Sequence, residues 1–208
     1  MRTECATLYT SMEYPEIKVI EGKKQILFSA PHCKLHKRPK LSMSYKQAEP
    51  FTEEIVEELC MRTGGFGLVL NSDIDYDPNY QKEKRNNYKK EVREIVKSGK
   101  INYFMDIHGI LDDHNCDICI CYSSRYSKSY KIARLLAENI GRRELFDINV
   151  QILKFPYSEE GEALSEFVAS KLAVPAIQIE IAKYIRDDEE LVKSFEENLC
   201  SVINKEFV

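Results

Sequence analysis

The sequence predicts an α/β fold in which helices cover both faces of one mostly parallel mixed sheet. Short apolar runs of strand length alternate with longer stretches that have a helical repeat of apolar positions. Because parallel strands need long crossover connections, this alternation is typical of a buried, mostly parallel sheet. A chain of 208 residues can form its own hydrophobic core. We therefore expect a single domain over residues 1–208.

Seven apolar runs have the length and composition of strands. They cover residues 17–21, 25–30, 67–71, 101–107, 116–122, 149–153 and 175–181. Longer periodic stretches predict helices over residues 50–62, 81–98, 127–140, 161–172 and 187–205. The run S-E-E-G at 158–161 is typical of a segment that precedes a helix.

The start of the first helix lies next to a candidate functional residue. Pro50 suits a first helical turn, and Glu49 or Thr52 could cap it. Glu53 and Glu54 would lie favourably at the positive end of the helix dipole. We therefore expect Glu49 at a helix entrance beside the sheet.

Charge and hydropathy exclude several classes of partner. The net charge is -4 and the pI is about 5.7, so nothing attracts the chain generally to nucleic acid or to an anionic membrane. No apolar run approaches the roughly 20 residues that cross a bilayer, and the N-terminus lacks the apolar core of a signal peptide. We expect a cytoplasmic protein with a small-molecule substrate, and its oligomeric state is not indicated.

The seven cysteines are expected to be reduced thiols, because a chain of this size needs no disulfide framework. Cys116, Cys119 and Cys121 lie in the run C-D-I-C-I-C-Y, where the first two form a C-x-x-C pair. Strand side chains alternate between faces, so Cys119 and Cys121 would share a face while Cys116 points away. With no second C-x-x-C in the sequence, we predict buried apolar thiols rather than a zinc site made of cysteines.

Side chains that can bind a metal ion or transfer a proton occur in four short segments. His32 and His108 end apolar runs, Glu180 interrupts the run A-I-Q-I-E-I-A, and Glu49 opens E-P-F-T. In open α/β sheets, functional groups gather beyond the carboxyl ends of strands. A hydrolytic zinc site needs three protein ligands, an open fourth position for water and a nearby carboxylate. We predict His32, Glu49 and His108 as ligands of one zinc ion per chain and Glu180 as the base.

Alternatives stay open for this site. Glu53 or Glu54, one turn further on, could reach the metal in place of Glu49, and Fe²⁺, Mn²⁺ or Co²⁺ could take the place of zinc. A carboxylate buried at Glu180 needs a partner. A metal-bound water would explain it, and so would pairing with a buried Arg or Lys.

Five short motifs occur in order between residues 25 and 186. They are S-A-P-H at 29–32, E-P-F-T at 49–52, D-P-N at 77–79, D-I-H-G at 106–109 and I-Q-I-E-I at 177–181. Together they resemble the N-formylglutamate amidohydrolase family and the related poly-γ-glutamate hydrolases, which are relatives of zinc carboxypeptidases. The resemblance implies a phosphorylase/hydrolase-like α/β fold, one catalytic zinc ion, and hydrolysis of an amide bond in a small N-acyl amino acid or γ-glutamyl compound.

The motif matches imply the same roles for the four site residues. His32 and His108 match the first and last ligands, Glu49 matches the carboxylate ligand, and Glu180 matches the general base. Asn79, in the third motif, matches a segment beside the substrate.

The sequence departs from the family pattern at two places. Cys33 and Lys34 follow the first His, where a glycine is common, and Tyr80 follows Asn79, where an Arg is often found. The second change removes an obvious bidentate clamp for a substrate carboxylate. The candidates that could replace this clamp are Arg85, Arg143 and Arg186.

Three more polar residues are candidates for supporting roles. His114, in the loop after Gly109, could contact the substrate or help to protonate the leaving group. Asp106 lies two residues before His108 on the same strand face and could orient that ligand. His36 lies in the run K-L-H-K-R-P, which we interpret as a solvated loop.

The same residues are compatible with two other functions. One is a zinc carboxypeptidase-like peptidase that acts on peptide ends or cell-wall fragments. The other is a non-catalytic metal- or ligand-binding module that has kept the pocket.

Overall fold

The computed structural model of the protein describes residues 14–39, 44–99, 101–123, 127–155 and 162–207. Its strands are β1 (Ile17–Ile20), β2 (Lys24–Ala30), β3 (His36–Lys37), β4 (Tyr45–Lys46), β5 (Gly65–Leu70), β6 (Tyr103–Ile110), β7 (Ile118–Ser123), β8 (Val150–Phe155) and β9 (Ala176–Ala182). Its α-helices are α1 (Thr52–Thr63), α2 (Asn87–Ser98), α3 (Ser127–Ile140), α4 (Leu164–Lys171), α5 (Lys183–Asp187) and α6 (Glu189–Glu206). All seven predicted strands and all five predicted helices are therefore present.

Seven strands form one sheet in the order β1-β5-β2-β6-β9-β7-β8, and β3 pairs with β4 in a separate hairpin. The central strands β5, β2, β6 and β9 are parallel, whereas β1 is antiparallel to β5 and β7 is antiparallel to β9. The predicted mostly parallel mixed sheet is confirmed. The carboxyl ends of β2, β6 and β9 meet at one edge of the sheet, and the first residues of β7 lie at the same edge.

Helices pack on both faces of the sheet, as predicted. Phe28 and Ser29 of β2 are in register with Gly67 and Leu68 of β5, and successive strand residues point to opposite faces. On the first face, α1 approaches so closely that a Cβ at Gly67 would lie 2.6 Å from Cys60 Sγ. On the other face, the buried Tyr88 hydroxyl of α2 lies 3.0 Å from Ser29 Oγ.

The core explains why the strands are apolar throughout rather than alternating. The consecutive residues Ile26, Leu27 and Phe28 are all fully buried, because each face of β2 is covered. The other helices extend the two layers. α6 packs against α1 and α3, whereas Phe167 of α4 lies beneath the Lys89 ammonium of α2.

The predicted helix starts are partly wrong. α1 begins at Thr52, after a left-handed Phe51, and no side chain caps it. The Thr52 hydroxyl instead donates to the Glu49 carbonyl oxygen at 2.8 Å. α2 begins at Asn87 rather than at residue 81, because Asn86 Oδ1 accepts from the Lys89 backbone N–H and caps the helix there.

Two other observations complete the fold. The predicted helix-start segment 158–161 lies outside the described residues. In the part of the chain that the structure describes, no helix is both long and apolar enough to span a membrane.

Candidate metal centre

His32, Glu49 and His108 meet at the carboxyl edge of the sheet. His32 follows the end of β2, His108 lies in β6, and Glu49 precedes α1, where its backbone N–H donates to the His32 carbonyl oxygen. His32 Nδ1 is 3.2 Å from Glu49 Oε1, and His108 Nδ1 is 3.1 Å from Glu49 Oε2. One atom from each residue lies within 4.8 Å of the others, and all three side chains are buried. The structure therefore brings the three predicted ligands together, and Glu49 is the carboxylate that it places there.

A buried carboxylate orients each imidazole. His32 Nε2 lies 3.0 Å from Asp77 Oδ1, and His108 Nε2 lies 3.1 Å from Asp106 Oδ2. A proton on each Nε2, donated to its aspartate, leaves both Nδ1 lone pairs pointing at the same space. The structure thus places Asp106 where the sequence predicted an orienting group, and it gives the same role to Asp77 of the D-P-N motif, for which the sequence predicted no such role.

The charges at this centre also suit a cation. Burial opposes the charged form of both histidines, but Glu49 and the two aspartates outweigh it and raise the pKa of His32 and hold that of His108 well above the ordinary value. Burial likewise favours a neutral Glu49, but the two histidines hold its pKa well below the usual range. A metal ion would take the place of these protons, and two His with one Glu is a donor set that catalytic zinc uses.

His36 is buried rather than solvated, so that sequence interpretation is wrong. Its ring stacks on the His32 ring, with centroids 4.0 Å apart and an angle of 6° between the planes. His32, His36 and Asp77 form a second group of possible ligands. However, Arg38 Nε donates to Asp77 Oδ2 at 2.9 Å. The Arg38 guanidinium already supplies the positive charge that the Asp77 carboxylate would need. We therefore assign one metal position, and the stacked His36 ring helps to hold the plane of the His32 ring.

Glu180 faces the same space from the neighbouring strand. It is in register with His108 across the β6–β9 pair, and its Oε1 accepts from Gln178 Nε2 at 2.5 Å. Burial raises the pKa of Glu180, His108 opposes this, and Glu49 adds to it. A carboxyl with a raised pKa is better suited to accept and return a proton.

Arg186 is buried beside the site, where it binds backbone carbonyl oxygens and lies against Gly109. Its Nε donates to the Ile181 carbonyl oxygen at 3.0 Å, and its terminal nitrogens donate to the carbonyl oxygens of Pro50 and Ile110. A Cβ at Gly109 would lie 2.4 Å from Arg186 Cζ, so any larger residue there would displace the guanidinium. Arg186 thus ties together the segments that carry the site, although it also lines the cavity.

A cavity of about 700 Å³ opens over this centre. The predicted ligands, Glu180, Asn79, His114 and Arg186 line it. Asn79 is partly committed, because its Oδ1 accepts from the Leu164 backbone N–H at 2.8 Å and holds the start of α4.

Arg85 and Arg143 do not reach the cavity. Arg85 ends a short 3-10 helix at residues 83–85, and Arg143 pairs with Glu197 of α6. Three cations on the cavity wall were not predicted: Arg38, Lys46 and Lys183. Arg38 lies in an ordinary basic stretch, and no local signal distinguishes the other two.

The cysteine cluster lies on the adjacent strand, and one prediction about it is wrong. Cys116 and Cys119 form a disulfide with a Cα–Cα distance of 6.1 Å. Cys116 precedes β7, so the alternation of strand side chains does not turn it away. Cys121 is a buried free thiol, and neither group of possible metal ligands among the described residues includes a cysteine.

Comparisons with known proteins identify the fold. No family model matches the sequence, and no curated protein matches it. A solved gene product of Agrobacterium tumefaciens has a TM-score of 0.63 at 12% identity, over 91% of this chain and 94% of that chain. A metallo-carboxypeptidase from Burkholderia cenocepacia has a TM-score of 0.55 at 13% identity, over 92% of this chain and 65% of that longer chain.

A bacteriophage poly-γ-glutamate hydrolase has a TM-score of 0.53 at 13% identity, over 89% of this chain and 86% of that chain. The fold that the sequence motifs imply is therefore confirmed. The chain shares its architecture with hydrolases that include a metallo-carboxypeptidase and a poly-γ-glutamate hydrolase.

Proposed function

We propose that the protein is a zinc-dependent hydrolase that cleaves an amide bond in a small N-acyl amino acid or γ-glutamyl compound. The observation that carries the proposal is the convergence of two oriented imidazoles and one carboxylate, with Glu180 in register beside His108 on the wall of the same cavity. The fold shared with hydrolases of amide and peptide bonds supports the same reaction class.

His32, Glu49 and His108 would hold the ion, and Asp77 and Asp106 would keep the imidazoles in the required tautomer. A bound zinc ion supplies Lewis-acid polarisation of the scissile carbonyl and makes an attacking water more acidic. Glu180 accepts a proton from that water as the water oxygen adds to the carbonyl carbon. Glu180 then donates the proton to the nitrogen as the C–N bond breaks, which yields a carboxylate and an amine.

The Glu180→Gln variant tests this role directly. Glutamine has the same length but cannot accept the proton, so turnover should fall by roughly 10²–10⁴-fold. The zinc content should stay near that of the unaltered protein, because Glu180 is not a ligand. Both quantities are measured on the same preparations, by elemental analysis and by amine release from a panel of N-acyl amino acids and γ-glutamyl compounds.

Glu144→Gln is the matched control, since Glu144 is an exposed carboxylate that does not line the cavity. It should change neither turnover nor zinc content. A Glu180→Gln protein with near-normal kcat would refute the proton-transfer role. Stoichiometric zinc without turnover of any panel member by the unaltered protein would instead indicate a binding module.

A further inference from the structure

Gln178 holds the Glu180 carboxylate on the wall of the cavity. It precedes Glu180 by two residues in β9, so both side chains point to the same face of the sheet. Gln178 Nε2 donates to Glu180 Oε1 at 2.5 Å, and both residues line the cavity. Burial raises the pKa of Glu180, and the hydrogen bond from Gln178 acts against this rise. The amide therefore stabilises the charged carboxylate, which is the form that can accept a proton.

The neighbouring strand β6 has the same arrangement. Asp106 precedes His108 by two residues, and its Oδ2 lies 3.1 Å from His108 Nε2. The two pairs are in register across the β6–β9 contact, Asp106 with Gln178 and His108 with Glu180. On each strand, a buried polar side chain thus contacts a functional group two residues further on. On β6 that group is a predicted metal ligand, and on β9 it is the proposed base.

Packing alone does not explain a glutamine at position 178. Gln178 is only 5% exposed, and its Oε1 is buried with no hydrogen-bond donor among the described residues. A buried amide oxygen without a donor costs stability, whereas an apolar side chain of similar size would not. The contact with Glu180 does explain the residue. A carboxylate only accepts hydrogen bonds, so an N–H group can hold it and a hydrocarbon side chain cannot.

We propose that Gln178 is a positioning residue that fixes the Glu180 carboxylate for proton transfer. Its N–H engages Glu180 Oε1 and sets the rotation of the carboxylate. Oε2 is then the oxygen that accepts the proton of the attacking water and returns it to the nitrogen as the C–N bond breaks. The Gln178 amide keeps its own protons throughout. This inference rests on the proposed hydrolysis, and in it Gln178 acts through Glu180 alone.

A double-mutant cycle tests the inference on the panel member that is hydrolysed fastest. Gln178→Met keeps the length of the side chain and removes its amide, so kcat should fall by roughly 10- to 100-fold. KM and zinc content should stay near those of the unaltered protein, because the amide is assigned no contact with substrate or metal. In a Glu180→Gln background, the same substitution should cause no further fall, because the proton acceptor is already gone.

Gln151→Met is the matched control, because Gln151 is a glutamine of β8 that does not line the cavity. It should leave kcat unchanged. Equal falls in kcat on Gln178→Met substitution in both backgrounds would mean that Gln178 acts through the shape of the cavity, which overturns the inference. Loss of zinc from Gln178→Met, or a kcat equal to that of the unaltered protein, overturns it as well. In each of these cases the proposed function stands, because the unaltered protein hydrolyses the substrate.

If the unaltered protein hydrolyses no panel member, the proposed function fails, and the cycle is measured by denaturant unfolding. Glu180→Met then replaces Glu180→Gln, because a glutamine could still accept the hydrogen bond from Gln178. A hydrogen bond to a charged carboxylate should make the two substitutions non-additive, by about a tenfold change in the unfolding equilibrium constant. Such coupling supports the fixing of Glu180 by Gln178, whereas additive effects overturn it.

Discussion

Two clusters of potential metal ligands lie at the same edge of the sheet, and their surroundings differ. The metal centre is built on His32, Glu49 and His108, and the cysteine cluster, called the thiol cluster below although two of its sulfurs form a disulfide, consists of Cys116, Cys119 and Cys121. Only strand β9 separates them, and its Glu180 is in register with His108 on one side and with Cys119 on the other. Position at the edge of the sheet therefore does not by itself produce a metal site.

The difference lies in the side chains that surround the potential ligands. Each imidazole of the metal centre donates to a buried aspartate, and a carboxylate lies between the imidazoles. The thiol cluster packs instead against Ile110 and Phe155. Burial, with a smaller contribution from Glu180, raises the pKa of Cys121 to about 12, so this thiol stays protonated. Metals bind the thiolate, and the sulfurs of Cys116 and Cys119 are joined in a disulfide. The cluster therefore lacks the negative charge that the metal centre has.

Removing one imidazole should have the largest effect on the zinc content of the protein. His108→Ala should reduce bound zinc from about one ion per chain to nearly none after dialysis, because two protein ligands hold a catalytic zinc ion poorly. The fold should persist, and circular dichroism checks it. His114→Ala is the control: His114 also lines the cavity but lies outside the ligand group, so zinc should be retained. Normal zinc content in both His108→Ala and His32→Ala would remove the metal centre.

The sequence could predict that His32, Glu49 and His108 come together because each follows a local pattern. Apolar runs placed all seven strands, and the strand order then carried His32, His108 and Glu180 to one edge. The orienting role of Asp77 was missed although its motif was noted, because the contact with His32 joins segments 45 residues apart. The position of Arg38 at the cavity was missed because it depends on a hairpin that the sequence analysis did not predict. Cys116 was misassigned because alternation was applied to a residue that precedes its strand.

The same limit explains the misplaced start of α1. Glu49, Pro50 and Thr52 have the residue types of a capped helix start. Phe51 instead adopts the left-handed region, with φ 67°, which a bulky residue rarely occupies. The contact that accompanies it, between Arg186 and the Pro50 carbonyl oxygen, comes from a distant segment. Such strain next to a ligand is set by the tertiary structure rather than by local preference.

Removing the charge of a carboxylate that orients a ligand should have an intermediate effect on zinc affinity. Asp106→Asn removes the charge that favours a proton on His108 Nε2, so zinc affinity should fall by roughly 10- to 100-fold while the ligands remain. Competition with a chelator measures the dissociation constant. Asp113→Asn, in the exposed loop after β6, is the matched control and should have no effect. Equal affinities of the two variants would mean that orientation by Asp106 contributes nothing.

The smallest effect on zinc content is expected from changes in the thiol cluster, which we predict to bind no metal. Replacing Cys116 and Cys119 together with Ser removes the disulfide and the C-x-x-C pair. Because these sulfurs pack against the apolar side chains of Ile110 and Phe155 and belong to neither group of possible ligands among the described residues, zinc should stay near one ion per chain. The free energy of unfolding should fall by no more than about 3 kcal/mol, as is usual for single structural contacts. Elemental analysis and denaturant unfolding on the same preparation measure both. If the variant holds one metal equivalent fewer than the unaltered protein, the thiols form a second centre. Apolar surroundings would then not prevent metal binding at this edge of the sheet.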